Sequence, residues 1–351
     1  MRITFILPGF SRFPVGGFQV VYEYANFLAK RGHNVEIVHA MFLPTQVKPN
    51  TKELAKYLLK QSMLKMGIIK PWFKLDARVQ VINKGRITKN DIRVGDRVIA
   101  TAWETSEFVN TLPKECGVKY YFIQHYETWG GKERVDKTWK LPLKKIVIAS
   151  WLQKIAKRMD ENATLVPNFV EHENFFVTKP IEKRSAVVSM LYSEHAVKGT
   201  ADGISALNMV KKKYPDITIK IFGVYDHPKN LPEGTLYYKA PSRNQLRNDI
   251  YNDSSIYLFP SISEGWGLTA TEAMACGAAL VSTENGGVDD FGVEGETALI
   301  SAPRDPQGLY LNICKLLSND QLRIRLAKKG KQLVMGLTLE ESGALFERAL
   351  E

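Results

Sequence analysis

Cysteine is scarce: 351 residues carry three, Cys116, Cys276 and Cys314, at unrelated spacings. An odd number so placed argues against a disulfide framework and against a zinc site, and a reducing cytoplasm is the expected compartment. Long hydrophobic runs are missing as well. No stretch approaches the roughly 18 apolar residues that span a bilayer, and the opening run Ile3 to Leu7 is too short for a secretory signal, so an integral membrane protein is not expected. Low-complexity tracts and internal repeats are also lacking. What remains is a globular composition, 44% hydrophobic, in a chain long enough to bury two sizeable cores.

Negative charge is sparse in one half only. Residues 1–168 hold 28 Lys and Arg against 14 Asp and Glu, and the remainder holds 20 against 23, so the net +11 arises wholly in the first half. There Lys48, Lys52, Lys56, Lys60, Lys65, Lys70 and Lys74 face one nearby acid, Glu53. Asn50 and Glu53 can cap a helix from Thr51 to about Met66, with Leu54, Leu58, Leu59 and Met63 on one face and Lys52, Lys56 and Lys60 on another. Trp72 and Phe73 follow among lysines. The combination predicts an element for anionic lipid headgroups, at about 1 kcal/mol per lysine near the surface. A plain solvated helix is the alternative. No recognised module accompanies the charge, so nucleic acid is not an expected partner.

Short apolar runs alternate with helical periodicity from the start. Arg2 to Leu7 reads as a strand, Phe18 to Arg31 as a helix ended by Gly32, and Asn34 to His39 as a second strand. Further strands are expected near Val79 to Ile82, Arg97 to Thr101, Lys119 to Gln124 and Lys145 to Ala149. A second series follows near Ala186 to Leu191, Thr218 to Phe222, Ile256 to Phe259 and Ala279 to Ser282. Two successive βα series predict an α/β protein of two doubly wound, Rossmann-like parallel sheets, with ligands beyond the carboxyl ends of the strands. The expected division is residues 1–167, with a basic insert at 44–75, then 168–335, then a final helix in 336–351 that Thr338 and Glu341 can cap.

Chemistry concentrates at Ser263-Glu-Gly-Trp-Gly-Leu-Thr-Ala-Thr-Glu272, where Glu264 and Glu272 stand with seven residues between them. The first falls in a loop after a buried strand, the second about two turns inside a helix that Gly277 stops. Free N–H groups at the helix start, approached through Gly265 and Gly267, suit a phosphate or a sugar oxygen. Carboxylates on either side suit a polyol, so a nucleotide sugar fits both. Gly265-x-Gly267-x-x-Ala270 also satisfies a dinucleotide pattern. It is not in an opening βαβ unit and lacks a clear ribose acid, which disfavours an oxidoreductase.

Glu264 and Glu272, with Ala273-Met-Ala-Cys-Gly277 and Gly286-Gly287, resemble the donor site of retaining glycosyltransferases of family four, which have the two-domain GT-B fold. Gly16-Gly17, Leu28-Ala-Lys-Arg-Gly-His-Asn-Val35, Val166-Pro-Asn168 and Lys198-Gly199 add matches in the family's order. The resemblance implies two domains facing a cleft, acceptor-side first and nucleotide-sugar-binding second, with the last helix crossing back onto the first. It implies that Glu272 accepts hydrogen bonds from the ribose, that Glu264 holds the transferred sugar, and that Gly265, Trp266, Gly267 and Leu268 present N–H groups to the sugar diphosphate. Lys198 is implied to stabilise the leaving diphosphate, His125 to lie near the reacting sugar, and Gly16 and Gly17 to approach the donor phosphate or the acceptor. Trp103, Glu104 and Tyr126 are acceptor-side candidates at strand ends.

One departure is evident, because Met190-Leu-Tyr-Ser-Glu-His195 lacks the family's usual arginine. No Asp-x-Asp element occurs, so the expectation is a metal-independent, cofactor-free, retaining enzyme with a nucleotide sugar as donor. A hydroxyl of an envelope glycan or lipid-linked saccharide is the expected acceptor, met at the inner membrane leaflet. The alternatives are a soluble enzyme acting on a small molecule, a nucleotide-sugar epimerase, or an inactive saccharide-binding scaffold.

Overall fold

The computed structural model describes every residue except 12, 45–49, 53, 54, 56, 57, 60, 61 and 63–70. The chain forms two compact units, residues 1–167 with 339–351, and residues 168–338.

In the first unit, β1 (Arg2–Pro8), β2 (Asn34–Phe42), β3 (Gln80–Arg86), β4 (Arg97–Ala100), β5 (Val118–Ile123), β6 (Lys144–Val147) and β7 (Ala163–Leu165) make one sheet in the order β3-β2-β1-β4-β5-β6-β7. Every pairing is parallel. In the second unit, β8 (Val187–Leu191), β9 (Thr218–Gly223), β10 (Leu236–Lys239), β11 (Ile256–Phe259), β12 (Ala279–Thr283) and β13 (Ala298–Ser301) run β10-β9-β8-β11-β12-β13, again all parallel. Each order reverses once, between β1 and β4 and between β8 and β11. Those reversals open the crevices where doubly wound sheets hold ligands.

The central strands are apolar along their length because helices cover both faces. Ile256, Tyr257, Leu258 and Phe259 are at most 3% exposed. Three edge strands escape the periodicity reading: β7, β10 and β13 have only three or four residues each, β7 and β10 with no buried position and β13 with two. The final helix, Leu339–Ala349, belongs to the first unit. Its buried Phe346 stacks on Tyr24 at 4.4 Å and meets Phe122 edge-on at 5.1 Å, and Glu347 holds His33 at 2.7 Å and Arg31 at 3.1 Å.

Of the basic insert, residues 51, 52, 55, 58, 59 and 62 are helical, and Lys52, Leu58 and Leu59 are exposed. Lys56 and Lys60 lie outside the described residues. Trp72 and Phe73 are half-buried against Tyr22, at 5.6 and 5.1 Å between ring centres, and the Trp72 indole N–H donates to the Ser11 carbonyl at 3.2 Å. Both rings are thus committed to the flank of the helix Gly16–Lys30. Among the described residues no helix is long and apolar enough to cross a membrane.

Candidate functional site

The second unit gathers its chemistry where β8 and β11 diverge. Gly199, with φ +60°, lies so close to the Pro260 carbonyl that any side chain there would collide with it. Ile262 N–H donates to the Val197 carbonyl at 2.7 Å, so the loop after β8 is laced to the loop after β11. This lacing delivers Lys198 to Glu264: its ammonium stands 2.8 Å from both carboxylate oxygens. The Ser261 hydroxyl donates to the same carboxylate at 2.7 Å, and the Glu264 N–H donates to the Asn285 carbonyl at 2.9 Å. Glu264 is 6% exposed, whereas the Lys198 side chain keeps about a third of its surface, 32%. The lysine is therefore the half of the pair that reaches solvent.

Past Glu264 the chain turns through Gly267, at φ +116°, into the helix Leu268–Ala275. Trp266 is 2% exposed and its ring packs on Phe291 at 5.6 Å, so this residue offers a ligand its backbone and not its indole. Gly287 lies so close to the Trp266 carbonyl and the Glu264 side chain that any side chain there would collide with them.

Glu272 points into a buried cluster. The Tyr251 hydroxyl donates to its carboxylate at 3.1 Å, and Arg243 pairs with Glu171 at 2.8 Å nearby. Burial pushes the Glu272 carboxyl up to about 8, and the like charge of Glu171 adds to this, while Tyr251 and Arg243 act in the opposite sense. Sequence reading had missed Tyr251, Glu171 and Arg243. Tyr251 stands among polar residues, Arg247-Asn-Asp-Ile-Tyr-Asn-Asp253, with no motif to mark it, and Glu171 and Arg243 are 72 residues apart. Tyr251→Phe leaves Glu272 without that donor; we expect about 1 kcal/mol of lost stability and a several-fold weaker nucleoside affinity. Isothermal titration beside urea unfolding checks it, and an unchanged affinity would detach Glu272 from the ligand.

In the first unit Gly16 and Gly17 are not a loop but the first turn of the helix Gly16–Lys30, and the Gln124 amide donates to the Gly17 carbonyl at 3.0 Å, which ties that turn to the end of β5. His125 follows, its ring 5.0 Å from Trp129 and 6.0 Å from Trp151. The acceptor-side candidates are less open than the sequence suggests. Trp103 is 8% exposed, covered by the Arg134 guanidinium at 4.6 Å and by Gly130. The Tyr126 hydroxyl is spent on Asp136, and Glu104 is half-buried with its carboxyl pushed up by burial. Beside it Glu127 accepts the Trp103 N–H at 2.8 Å, and burial pushes that carboxyl up to about 8. Among the described residues no group of three or more His, Cys, Asp or Glu converges as a metal site.

Residues 171–333, most of the second unit, match the family model described as Glycosyl transferases group 1. The chain is 28% identical over 151 residues to the D-inositol 3-phosphate glycosyltransferase of Corynebacterium urealyticum, covering 39% of this chain and 36% of that one. It is 23% identical over 144 residues to the capsular polysaccharide biosynthesis glycosyltransferase CapM of Staphylococcus aureus, covering 39% and 38%. The aligned segments thus span less than two-fifths of these relatives' own length. The crystal structure of Anabaena HepE in complex with UDP-glucose superposes with a TM-score of 0.73 at 12% identity, over 100% of this chain and 99% of that one. The fold is that of the GT-B glycosyltransferases, and the second unit is similar to the group 1 glycosyl transferases.

Proposed function

We propose that the chain transfers a sugar from a nucleoside diphosphate to a hydroxyl of an envelope glycan or lipid-linked saccharide, retaining the anomeric configuration and using no metal ion. One observation carries the reading: at the switch point of the second sheet, Lys198 and Glu264 are paired at 2.8 Å, in a helix-start loop that leads to the buried acid Glu272. A diphosphate draws on the lysine charge, the sugar hydroxyls on Glu264, and the ribose on Glu272. In a front-face transfer the bond from the anomeric carbon to phosphate breaks as the acceptor oxygen bonds on the same face, and the leaving phosphate oxygen takes the acceptor proton. The UDP-glucose bound to HepE and the capsular role in CapM's name support this donor and acceptor class. Peripheral contact with an anionic inner leaflet is part of the proposal, through exposed Lys52 and its neighbours in 44–75.

A thermal-shift panel of nucleotides and nucleotide sugars tests the donor half. A ligand at about 100 times its dissociation constant adds roughly 2.7 kcal/mol of stability, a rise of a few degrees. Binding of one nucleoside diphosphate and its sugars is the expected result. Silence across the panel sinks the enzyme reading in favour of a scaffold, and interconversion of the sugar without nucleotide release points to an epimerase.

A further inference from the structure

We infer that the indoles of Trp129 and Trp151, with His125 between them, form a platform on the first unit that takes the pyranose ring of the acceptor. The inference deepens the transferase reading and rests on it for the acceptor role alone.

Trp129 is 63% exposed, and it is not an isolated surface ring, because partly buried His125 lies 5.0 Å from it, tilted by 46°, and partly buried Trp151 meets His125 edge-on at 6.0 Å. An exposed ring backed by further rings marks a binding site more often than a scattered one does. These rings also stand in the right place. His125 comes just after β5 and Trp151 just after β6, at the carboxyl ends of the strands, where this topology holds ligands.

The turn that carries Trp129 is fixed from both sides. Before it, the Glu127 carboxylate accepts the Trp103 N–H at 2.8 Å, and the Gly130 N–H donates to the Glu127 carbonyl at 3.0 Å. After it, Gly130 lies flat on the Trp103 indole, where a side-chain carbon would come within 2.5 Å of the ring. The buried ring of Trp103 thus serves as the floor of the turn, and Trp129 is the ring held outward. An exposed side chain held in this way loses little entropy on binding, and an indole has only two side-chain torsions to fix.

The chemistry selects a saccharide. One face of a pyranose presents C–H bonds with partial positive charge, which complement the negative face of an indole, and its hydroxyl rim asks for a polar neighbour, here His125. A nucleobase would stack as well, but the groups suited to ribose and phosphate, Glu272 and Lys198, are in the other unit.

The test uses full-length protein on an array of immobilised mono- to tetrasaccharide pyranosides, with UDP, GDP and ADP affinities measured in parallel. Wild type should retain at least one pyranoside class. Trp129→Ala should weaken that binding about tenfold, while Trp129→Tyr restores most of it, the worth of one aromatic stacking contact. Nucleotide affinity should be unchanged in both variants. Pyranoside binding without nucleotide binding keeps the platform and sinks the transferase. Nucleotide binding with no pyranoside retained, or with Trp129→Ala retaining it as wild type does, overturns the platform. Sedimentation closes the remaining route: a dimer dissolved by Trp129→Ala makes the indole a subunit contact and also overturns the inference.

Discussion

Lys198→Ala is expected to lose about 2 to 3 kcal/mol of stability and about 100- to 1000-fold in transfer rate. The two losses have different origins. Glu264 is nearly enclosed and depends on Lys198 for both oxygens, with Ser261 as its other donor. Removing the lysine leaves a buried carboxylate that one hydroxyl and the loop backbone cannot solvate. A fully buried pair broken on one side costs about 3 to 5 kcal/mol, and solvent at the half-open lysine reduces this. The double variant Lys198→Ala with Glu264→Gln removes the orphaned charge and should recover most of the stability while activity stays low. In ligand binding the lost charge faces phosphate, so nucleoside diphosphate should weaken far more than nucleoside. Urea unfolding of the two single variants and the double variant decides the first point. A double variant no more stable than Lys198→Ala would show that the ion pair does not organise this loop.

The pair also shows where sequence reading reaches and where it stops. Glu264 and Lys198 were legible because each sits at a strand end or helix start, and Glu272 because it lies inside the helix that follows, the ends being marked by glycines that backbone geometry demands. Gly199 is an example: the residue needs a positive φ and also abuts the Pro260 carbonyl. The ion pair itself was not legible, since 66 residues separate its partners and only the parallel pairing of β8 with β11 brings them together. The two doubly wound sheets were readable from apolar runs, but edge strands as short as Ala163–Leu165 carry too little pattern to stand out. The exposure of Trp103 was not legible: its place after β4 is a strand end, yet Arg134 and Gly130 cover its ring, and the exposed indole is that of Trp129, 26 residues on.

Glu272→Gln should make the ligand-free protein more stable at alkaline pH and a poorer binder of nucleotide where the wild-type carboxyl is ionised, above about pH 8. Burial first, and Glu171 second, hold the Glu272 carboxyl near about 8 against an ordinary 4.5. Between those values the folded chain keeps a proton that the unfolded chain has released. The contribution of this group is therefore full below the unfolded value, declines as pH rises, and is gone above the folded value. Each pH unit in that window removes about 1.4 kcal/mol, so the whole decline is on the order of 4 kcal/mol. Glutamine cannot ionise, and its carbonyl still accepts from the Tyr251 hydroxyl, so the variant should lack this part of the slope. Glu127, also held near about 8, keeps a parallel slope in both proteins and cancels in the difference. Where the wild-type carboxyl is ionised, however, ribose hydroxyls in the variant lose a carboxylate acceptor, which is worth about 1.5 to 3 kcal/mol or roughly 10- to 100-fold in affinity. Unfolding free energies of wild type and variant at about pH 5, 7 and 9, with nucleotide titrations alongside, test both halves. Parallel pH curves would mean that Glu272 is already ionised in the folded protein, and an undiminished affinity would move the ribose elsewhere.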